Sequence, residues 1–388
     1  MQHSDQKEKH RSLSLAFIGQ KLIPSRSGGV EVVVEELATR MAQLGHQVTC
    51  YNRSGHHISG KEFDTQKCKN YKGVTLKSVF TIEKKGLAAM TSSLCASICA
   101  AVGHFDIVHF HAEGPCATMW IPKLFGKKCI ATVHGLDWDR EKWKHGFASK
   151  YIKFGEKTAV KYADEIIVLS KSVQDYFMTT YHRQTIFIPN GVNRPQYQAP
   201  EKIKSTYGLE GSDYILFLAR LVPEKGLRYL IKAFSKVQTD KKLIIAGGAS
   251  DSADFITECR ELAKDDERIL FTGFVQGQIL EELYSNAYLY VLPSDLEGMP
   301  LSLLEALSYG NCCLVSDIPE CTDVAPGKVI TFQKSNIEDL YKKLQYLCDN
   351  EDIVQHYREG SEDYICQKYS WDTVVQKTLD LYQKSCNR

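Results

Sequence analysis

The sequence predicts an α/β protein built from two doubly wound domains, and three observations support that prediction. The chain has 388 residues, 43% of them hydrophobic and 24% charged, which is enough for more than one ordinary core. Strand-like apolar runs alternate with helical patterns from one end to the other, as parallel sheets covered by helices require. The alternation breaks at the turn-rich segment 188–195 and then restarts, so we expect a linker there.

Thirteen apolar runs have the length and composition of buried strands. In the first half they are 13–18, 47–51, 74–78, 107–110, 129–133, 165–169 and 185–188. In the second half they are 214–218, 243–246, 269–272, 288–292, 313–316 and 329–332. These runs predict a first domain at residues 1–190, a second at 191–370, and a terminal helix at 371–388 that crosses back to the first domain.

Charge and cysteine content narrow the class of protein. Lys and Arg number 48 against 47 Asp and Glu, and this balance argues against a dedicated nucleic-acid binder. Residues 1–200 nevertheless hold 27 Lys and Arg against 17 Asp and Glu, so the first domain is expected to face something anionic. The 13 cysteines show neither a Cys-x-x-Cys pair nor zinc spacing, and with a polar amino terminus they predict a reducing, cytoplasmic location.

An uncharged stretch at residues 86–103 could be either a membrane-spanning helix or a helix packed inside a domain. Its 18 residues reach the lower limit for a spanning helix. They include one Thr and three Ser, so a helix packed inside a domain is the preferred interpretation.

A glycine pair follows the first predicted strand. Gly28 and Gly29 open a predicted helix at residues 31–44, which Gly45 closes as a left-handed cap. Paired glycines allow the backbone to approach a bound group closely, and a helix start favours an anion. The segment lacks the Gly-x-Gly-x-x-Gly pattern and the chain lacks a P-loop, so dinucleotide and P-loop sites lose support. A plain strand–helix turn remains the alternative.

Two cations follow the first strand of the second half. Arg220 and Lys225 flank a proline-containing turn that leads into a helix. Fixed cations at the carboxyl end of a strand can neutralise a diphosphate without a metal ion. Solvated surface charges are the alternative.

A pair of glutamates carries the most specific pattern. Glu297 lies in a loop and Glu305 on the second turn of the helix that follows, so both can line one pocket and accept hydrogen bonds from sugar hydroxyls. Glu305 lies among leucines, an unusual place for an unpaired charge. We expect an unusual backbone angle at Gly298 and Pro300 in the first helical turn. The neighbouring amides would then face a phosphate.

Together these segments closely resemble family 4 of the retaining glycosyltransferases. The resemblance rests on the Glu297-x7-Glu305 segment, the Arg220–Lys225 turn and the early glycine pair, and it covers residues from about 13 to 382. It implies the GT-B fold, in which two Rossmann-like domains face each other across a central cleft that binds a nucleotide-diphosphate sugar.

The resemblance also implies a role for each matching residue. Arg220 and Lys225 would bind the donor diphosphate, and Glu305 would bind the ribose hydroxyls. Glu297 would contact the donor sugar. The other donor-binding positions are Gly28 and Gly29 over the phosphates, Gly298, Met299, Pro300 and Leu301 beside the sugar, and Gly247, Gly248, Phe274 and Val275 around the nucleoside. Ala219 departs from the pattern, because many members have glycine before the arginine.

His134 follows a first-domain strand and completes the predicted catalytic set with Glu297, Arg220 and Lys225. Its side chain can hydrogen-bond a sugar hydroxyl, and its carbonyl can stabilise positive charge at the anomeric carbon. In the family it matches the histidine of the donor-sugar site, and a structural histidine is the alternative. The string from His134 to Trp138 is similar to transferases of bacterial capsular and wall polysaccharides, rhamnosyltransferases among them.

Two features suggest how an acceptor is reached. His111 and Glu113 follow another strand and are candidates for the acceptor side, with solvated loop residues as the alternative. Residues 138–161 mix Lys and Arg with aromatic residues, which suits an anionic bilayer and hence a lipid-linked acceptor. A water-soluble helix with a lysine-rich outer face explains the same pattern.

The sequence therefore predicts a retaining hexosyl- or deoxyhexosyltransferase of exopolysaccharide, capsule or cell-wall synthesis. Its donor would be a nucleotide-diphosphate sugar and its acceptor a lipid-linked glycan. No carboxylate is placed as a nucleophile, so attack on the same face as the leaving group is expected. Without an Asp-x-Asp site, neither a cofactor nor a divalent metal is expected. The alternatives are a non-catalytic GT-B subunit that partners another transferase and a sugar-nucleotide 2-epimerase.

Overall fold

The computed structural model describes residues 11–55, 68–84, 86–136, 138, 147–248 and 253–388. In this part of the chain the strands form two sheets. Those of the first sheet are β1 Ser14–Ile18, β2 Gln47–Arg53, β3 Asn70–Tyr71, β4 Val74–Val79, β5 Ile107–His111, β6 Lys128–Val133, β7 Glu165–Val168 and β8 Ile186–Phe187. Those of the second are β9 Tyr214–Leu218, β10 Lys242–Ala246, β11 Ile269–Gly273, β12 Leu289–Leu292, β13 Cys313–Ser316 and β14 Ile330–Phe332.

Helices alternate with these strands. Those before the linker are α1 Gly29–Gln43, α2 Leu87–Val102, α3 Glu113–Cys116, α4 Trp120–Leu124, α5 Phe147–Tyr162 and α6 Lys171–Tyr181. Those after it are α7 Lys202–Tyr207, α8 Leu227–Phe234, α9 Ala253–Ala263, α10 Gln278–Ser285, α11 Leu301–Ser308, α12 Pro319–Thr322, α13 Ile337–Asp349, α14 Glu351–Arg358, α15 Ser361–Lys368 and α16 Trp371–Cys386.

Both sheets are doubly wound. The first has the order β3-β4-β2-β1-β5-β6-β7-β8 and the second β11-β10-β9-β12-β13-β14. Neighbouring strands are parallel throughout the described sheets, except that β3 pairs with β4 in the antiparallel sense. The predicted architecture of two facing α/β domains is therefore confirmed. The extra strand β3 was not predicted, because two residues are too few to show a pattern.

The buried residues form one layer on each face of each sheet. The last helix, α16, belongs to the first domain's core, where Trp371, Val375 and Tyr382 join the cluster that contains Leu15. Helix α2 packs Ala96 and Ala100 against the other face of the first sheet. Among the described helices, none has the length and apolar character needed to cross a bilayer.

The chain crosses between the domains twice, and the two crossings pack together. The amide of Val192 donates to the carbonyl of Tyr369 at 2.7 Å, and Val192 forms a β-bridge with Ser370. A Cβ on Gly191 would overlap Trp371, so glycine is needed for this close approach. The predicted linker therefore runs beside the start of α16.

Candidate active site

A cavity of about 770 Å³ is lined by residues of both domains. Its position follows from the topology, because ligands of doubly wound sheets bind where the strand order reverses, beyond the carboxyl ends of the strands. Here that point lies between β1 and β5 in the first sheet and between β9 and β12 in the second. The loops that follow these four strands all contribute to the wall.

The cavity brings together the residues predicted for donor binding and catalysis. They come from both halves of the chain and from six different strand ends. The residues on its wall include Gly28, Gly29, His134, Arg220, Lys225, Gly247, Gly248, Phe274, Val275, Glu297, Gly298, Met299, Pro300, Leu301 and Glu305.

Lys225 and Glu297 are bonded to each other. Lys225 Nζ lies 2.5 Å from Glu297 Oε1, and Ser294 Oγ donates to the same oxygen at 2.7 Å. The two charged side chains are only 13% and 6% exposed, so solvent screens the pair weakly. Sequence reasoning gave them separate roles, at the diphosphate and at the sugar. The structure shows a fixed ion pair that holds the lysine at the wall beside Arg220.

The loop before α11 differs from expectation at two positions. Gly298 does not adopt a left-handed angle. Glycine is needed because a Cβ there would overlap the carbonyl oxygen of His134 from the first domain. Pro300 caps α11, and the helix begins at Leu301. The first amides of a helix have no partner inside it, so the start of α11 still offers donors to an anion.

Glu305 is held by two residues that sequence reasoning did not place in the site. The hydroxyl of Tyr284 donates to its Oε2 at 3.1 Å, and Arg26 of the first domain forms an ion pair with its Oε1. Burial raises the pKa of Tyr284, so this side chain remains a hydrogen-bond donor. Arg26 lies in the segment singled out for its glycine pair, but a partner in the other domain cannot be found from one sequence segment.

The glycine pair lies at the start of α1, next to the other domain. Gly29 starts α1, and a Cβ built on it would lie 3.6 Å from Leu301 Cδ1 in the other domain. The helix start that was expected to favour an anion already faces a carboxylate. Glu31 lies buried in the first turn, where it accepts a hydrogen bond from the amide of Lys21 at 2.9 Å. A bound phosphate would therefore meet α11 more favourably than α1.

His134 is the cavity-lining end of a chain of three histidines that runs into the first domain. Its Nε2 lies 3.1 Å from His111 Nδ1, and the rings of His111 and His109 are 4.1 Å apart. His109 bonds to Thr132 and to the hydroxyl of Tyr382 in α16. Burial lowers the pKa of His109 to about 3 and lowers that of His111 well below 6.5, so both rings are neutral.

The two residues predicted for the acceptor side lie behind the cavity wall. His111 and Glu113 are fully buried, and neither lines the cavity. The backbone carbonyl of Glu113 packs against Gly155 of α5, where a Cβ would overlap it. Direct contact with an acceptor is therefore not supported by this arrangement. His111 instead contacts the His134 ring from the interior of the first domain.

The wall near α2 has a composition that sequence reasoning missed. Three cations and one acidic residue, Glu83, line it, and apolar side chains lie beside them. The cations are Lys21, Arg53 and Lys84, and the apolar residues include Leu22, Leu87 and Met90. This part of the cavity, the acceptor arm, can receive a group that is anionic at one end and apolar at the other.

Two further predictions concern a metal site and the segment at residues 138–161, which is rich in Lys, Arg and aromatic residues. No cluster of three or more His, Cys, Asp or Glu suited to a metal occurs in the part of the chain that the structure describes. Of the run at 138–161, residues 139–146 lie outside the described residues, as does Asp137 of the His134–Trp138 string. All 13 cysteines are free.

Family comparisons cover both domains. Residues 27–195 match the family model described as Glycosyltransferase Family 4, and residues 200–364 match Glycosyl transferases group 1. An uncharacterized glycosyltransferase of Methanocaldococcus jannaschii is 22% identical, over 96% of this chain and 98% of its own. The N,N'-diacetylbacillosaminyl-diphospho-undecaprenol alpha-1,3-N-acetylgalactosaminyltransferase of Campylobacter jejuni is also 22% identical, over 62% of this chain and 66% of its own.

The fold is shared with solved glycosyltransferases. Anabaena HepE, solved in complex with UDP-glucose, superposes with a TM-score of 0.80 at 14% identity, over 96% of this chain and 100% of that one. The similarity extends through both domains and the cleft between them, which is the GT-B arrangement. The two family matches, at residues 27–195 and 200–364, show that this chain belongs to the group 1, family 4 glycosyltransferases.

Proposed function

We propose that this glycosyltransferase moves a hexose or deoxyhexose from a nucleotide-diphosphate sugar to a lipid-linked glycan acceptor, with retention of the anomeric configuration. Capsule, exopolysaccharide or cell-wall polysaccharide synthesis would use such a product. One observation carries the proposal: a single cavity joins Arg220, Lys225 and the start of α11 on one side to His134 on the other.

The chemical step needs charge stabilisation at two places. As the glycosidic bond to the diphosphate breaks, negative charge grows on the leaving oxygen, where Arg220, Lys225 and the α11 amides stabilise it. Positive charge grows at the anomeric carbon. The carbonyl of His134 packs against Gly298 and therefore lies beside the loop that would hold the donor sugar.

Retention is proposed to occur by attack on the face that the diphosphate leaves. In the loop that precedes α11, which we call the donor loop, Glu297 is the carboxylate that lines the cavity, and its Oε1 is bonded to Lys225 and Ser294. An anion held in this way suits positioning better than nucleophilic attack. In the proposed step, the acceptor hydroxyl forms the new bond and its proton passes to the departing diphosphate oxygen. The anomeric configuration of the product, measured by NMR, tests this step, and an inverted product would contradict it.

The acceptor arm supports an anionic, lipid-linked acceptor. Its cations Lys21, Arg53 and Lys84 suit a phosphate or diphosphate, and Leu87 and Met90 suit the first units of a lipid. The Campylobacter relative carries a diphospho-undecaprenol acceptor in its name. Peripheral contact of the basic first domain with the cytoplasmic face of a membrane would follow, and the free cysteines fit a reducing compartment.

Nucleotide binding is the first test. A thermal-shift panel of UDP, GDP and dTDP identifies the base, and donor consumption is then measured with sugars of that nucleotide. Arg220→Ala should lower turnover about a hundredfold with unchanged circular dichroism, because it removes a cation that stabilises the leaving group. Arg194→Ala is the matched control, since Arg194 is paired with Glu362 and Asp363 and does not line the cavity. Near-normal turnover in Arg220→Ala would refute the site, and acceptor-independent donor conversion would indicate an epimerase.

A further inference from the structure

The outer face of α2 carries no charge. All sixteen residues from Leu87 to Val102 are uncharged, and the inward face is filled by small residues. Leu94, Ile98 and Val102 point outward on successive turns and are 44%, 49% and 68% exposed. A helix on the surface of a water-soluble domain normally presents charged and polar residues there. Within the described residues, this apolar stripe is left to solvent.

Helix α4 extends the apolar surface. It lies beside α2, because Lys127 Nζ donates to the carbonyl of Gly103 at 2.6 Å and Ser97 bonds to Thr118 at 2.7 Å. Large side chains of this region are also exposed. We define the α2–α4 surface as Leu94, Ile98, Val102, Trp120, Leu124 and Phe125. Apolar groups this numerous on adjacent elements mark a binding surface for a protein or a membrane.

Positive charge borders this surface. Helix α5 packs beside α3 and α4, and it exposes Lys150, Lys153 and Lys157. Phe154 lies between these lysines and is 54% exposed. The acidic residue of the same helix, Glu156, is buried and bonded to Trp138, Tyr176 and Tyr181. Apolar groups bordered by lysines complement the acyl region and head groups of an anionic bilayer.

Helix α2 leads from this surface into the acceptor arm. Leu87, Ala88 and Met90, in the first turn of α2, line the cavity. At 1.5 Å per residue, Val102 lies about 18 Å farther along the helix than Met90. An apolar track therefore connects the cavity with the α2–α4 surface.

We propose that the α2–α4 surface docks on an anionic lipid bilayer and places the acceptor arm at the membrane. This inference rests on the proposed lipid-linked acceptor and deepens it. The diphosphate of such an acceptor would reach Lys21, Arg53 and Lys84 while its lipid stays in the bilayer.

Sedimentation with vesicles tests the surface. The protein is mixed with vesicles of phosphatidylcholine alone or of equimolar phosphatidylcholine and phosphatidylglycerol. We expect binding to the anionic vesicles, and about a tenfold loss of binding when Ile98→Ser and Leu124→Ser are combined, because two exposed apolar side chains that would enter the bilayer are removed. The matched control combines Leu44→Ser with Leu262→Ser, two exposed leucines outside this surface, and should bind as the unchanged chain does.

The UDP, GDP and dTDP thermal-shift panel is run on the same samples and separates the two proposals. All variants should keep the nucleotide response of the unchanged chain, because none of the four positions lines the cavity. A chain that binds nucleotide but no vesicles overturns the docking proposal alone, and a chain that binds vesicles but no nucleotide overturns the donor site alone. Equal vesicle binding by both double variants also overturns docking. So does a dimer in solution that only the Ile98→Ser, Leu124→Ser variant dissociates, since the surface would then be a self-contact.

Discussion

At the residue scale, the hydroxyl of Tyr284 holds a carboxylate that would bind the donor ribose. It lies 3.1 Å from Glu305 Oε2 and is buried inside the second domain. Tyr284→Phe removes one hydrogen bond to a charged group, and such bonds contribute about 1.5–3 kcal/mol. We expect the Kd of the nucleotide identified by thermal shift to rise at least about tenfold, as measured by calorimetry.

Tyr288→Phe provides the control for this change. It removes a buried hydroxyl that donates to the carbonyl of Leu347 at 2.7 Å, and Tyr288 does not line the cavity. Its nucleotide affinity should match that of the unchanged chain. If both variants bound nucleotide equally well, Tyr284 would have no positioning role.

The buried histidines make the fold sensitive to acid. Burial lowers the pKa of His109 to about 3 and that of His111 well below 6.5. Below pH 6.5 these two imidazoles therefore stay neutral in the folded chain but take up protons in the unfolded chain. The free energy of unfolding therefore falls as the pH drops below 6.5. Urea unfolding should show a loss of about 2–3 kcal/mol between about pH 7 and about pH 5.5 from the two residues together.

Substitution separates this effect from general acid sensitivity. His109→Gln should make the pH dependence shallower, because one of the two buried imidazoles is gone. His182→Gln removes an exposed histidine at the end of α6 and should leave the slope unchanged. Identical slopes in all three proteins would mean that the histidine chain does not control acid stability.

A site residue could be predicted from the sequence when the residues that it acts with lie in the same domain and close to it along the chain. Arg220, Lys225, Glu297 and Glu305 follow strands of one domain, so their spacing alone was informative. Arg26 was missed because its partner Glu305 lies 279 positions away, across the cleft. Glu113 was predicted as an acceptor-side residue because a glutamate after a strand is usually solvated. In the structure this glutamate is fully buried.

At the element scale, we propose that cations and the start of α11 stabilise the leaving diphosphate without a metal ion. The 3₁₀ turn Pro223–Lys225 sits against the end of β12, because a Cβ on Gly226 would overlap the carbonyl of Pro293. This packing positions Lys225, whose Nζ is bonded to Glu297 in the loop before α11. We predict that donor turnover is unchanged by EDTA, measured at saturating donor. A loss that added Mg²⁺ restores would show that the cations are insufficient.

Strand positions were predictable because parallel strands are buried on both faces. β9 and β13 have the expected bounds, β8 is one residue shorter at both ends, and the other predicted strands differ by one or two residues at one end. Helix α2 was predicted correctly as packed in a domain, but its outer face was not recognised as a surface. Its residues are uncharged on every face, so only the burial of individual residues distinguishes the inward Ala96 from the outward Leu94.

At the scale of the whole molecule, the domains meet through contacts that no local pattern contains. The amide and side chain of Asn190 in the linker both bond to Met299 of the donor loop. Gly298 lies against His134, and Arg26 pairs with Glu305. The relative position of the domains therefore depends on the linker as well as on the cleft.

The double crossing should make Gly191 essential for the stability of this arrangement. Gly191→Ala would place a Cβ against Trp371, and overpacking of this kind costs about 1–3 kcal/mol. Trp371 begins the helix that completes the first domain's core, so its displacement would weaken α16 as well. We expect calorimetry to show a Tm lowered by several degrees, whereas Gly114→Ala should not lower the Tm, because its nearest neighbour, Tyr151, is 4.0 Å away. A Gly191→Ala protein with the Tm of the unchanged chain would show that the two crossings can separate without cost.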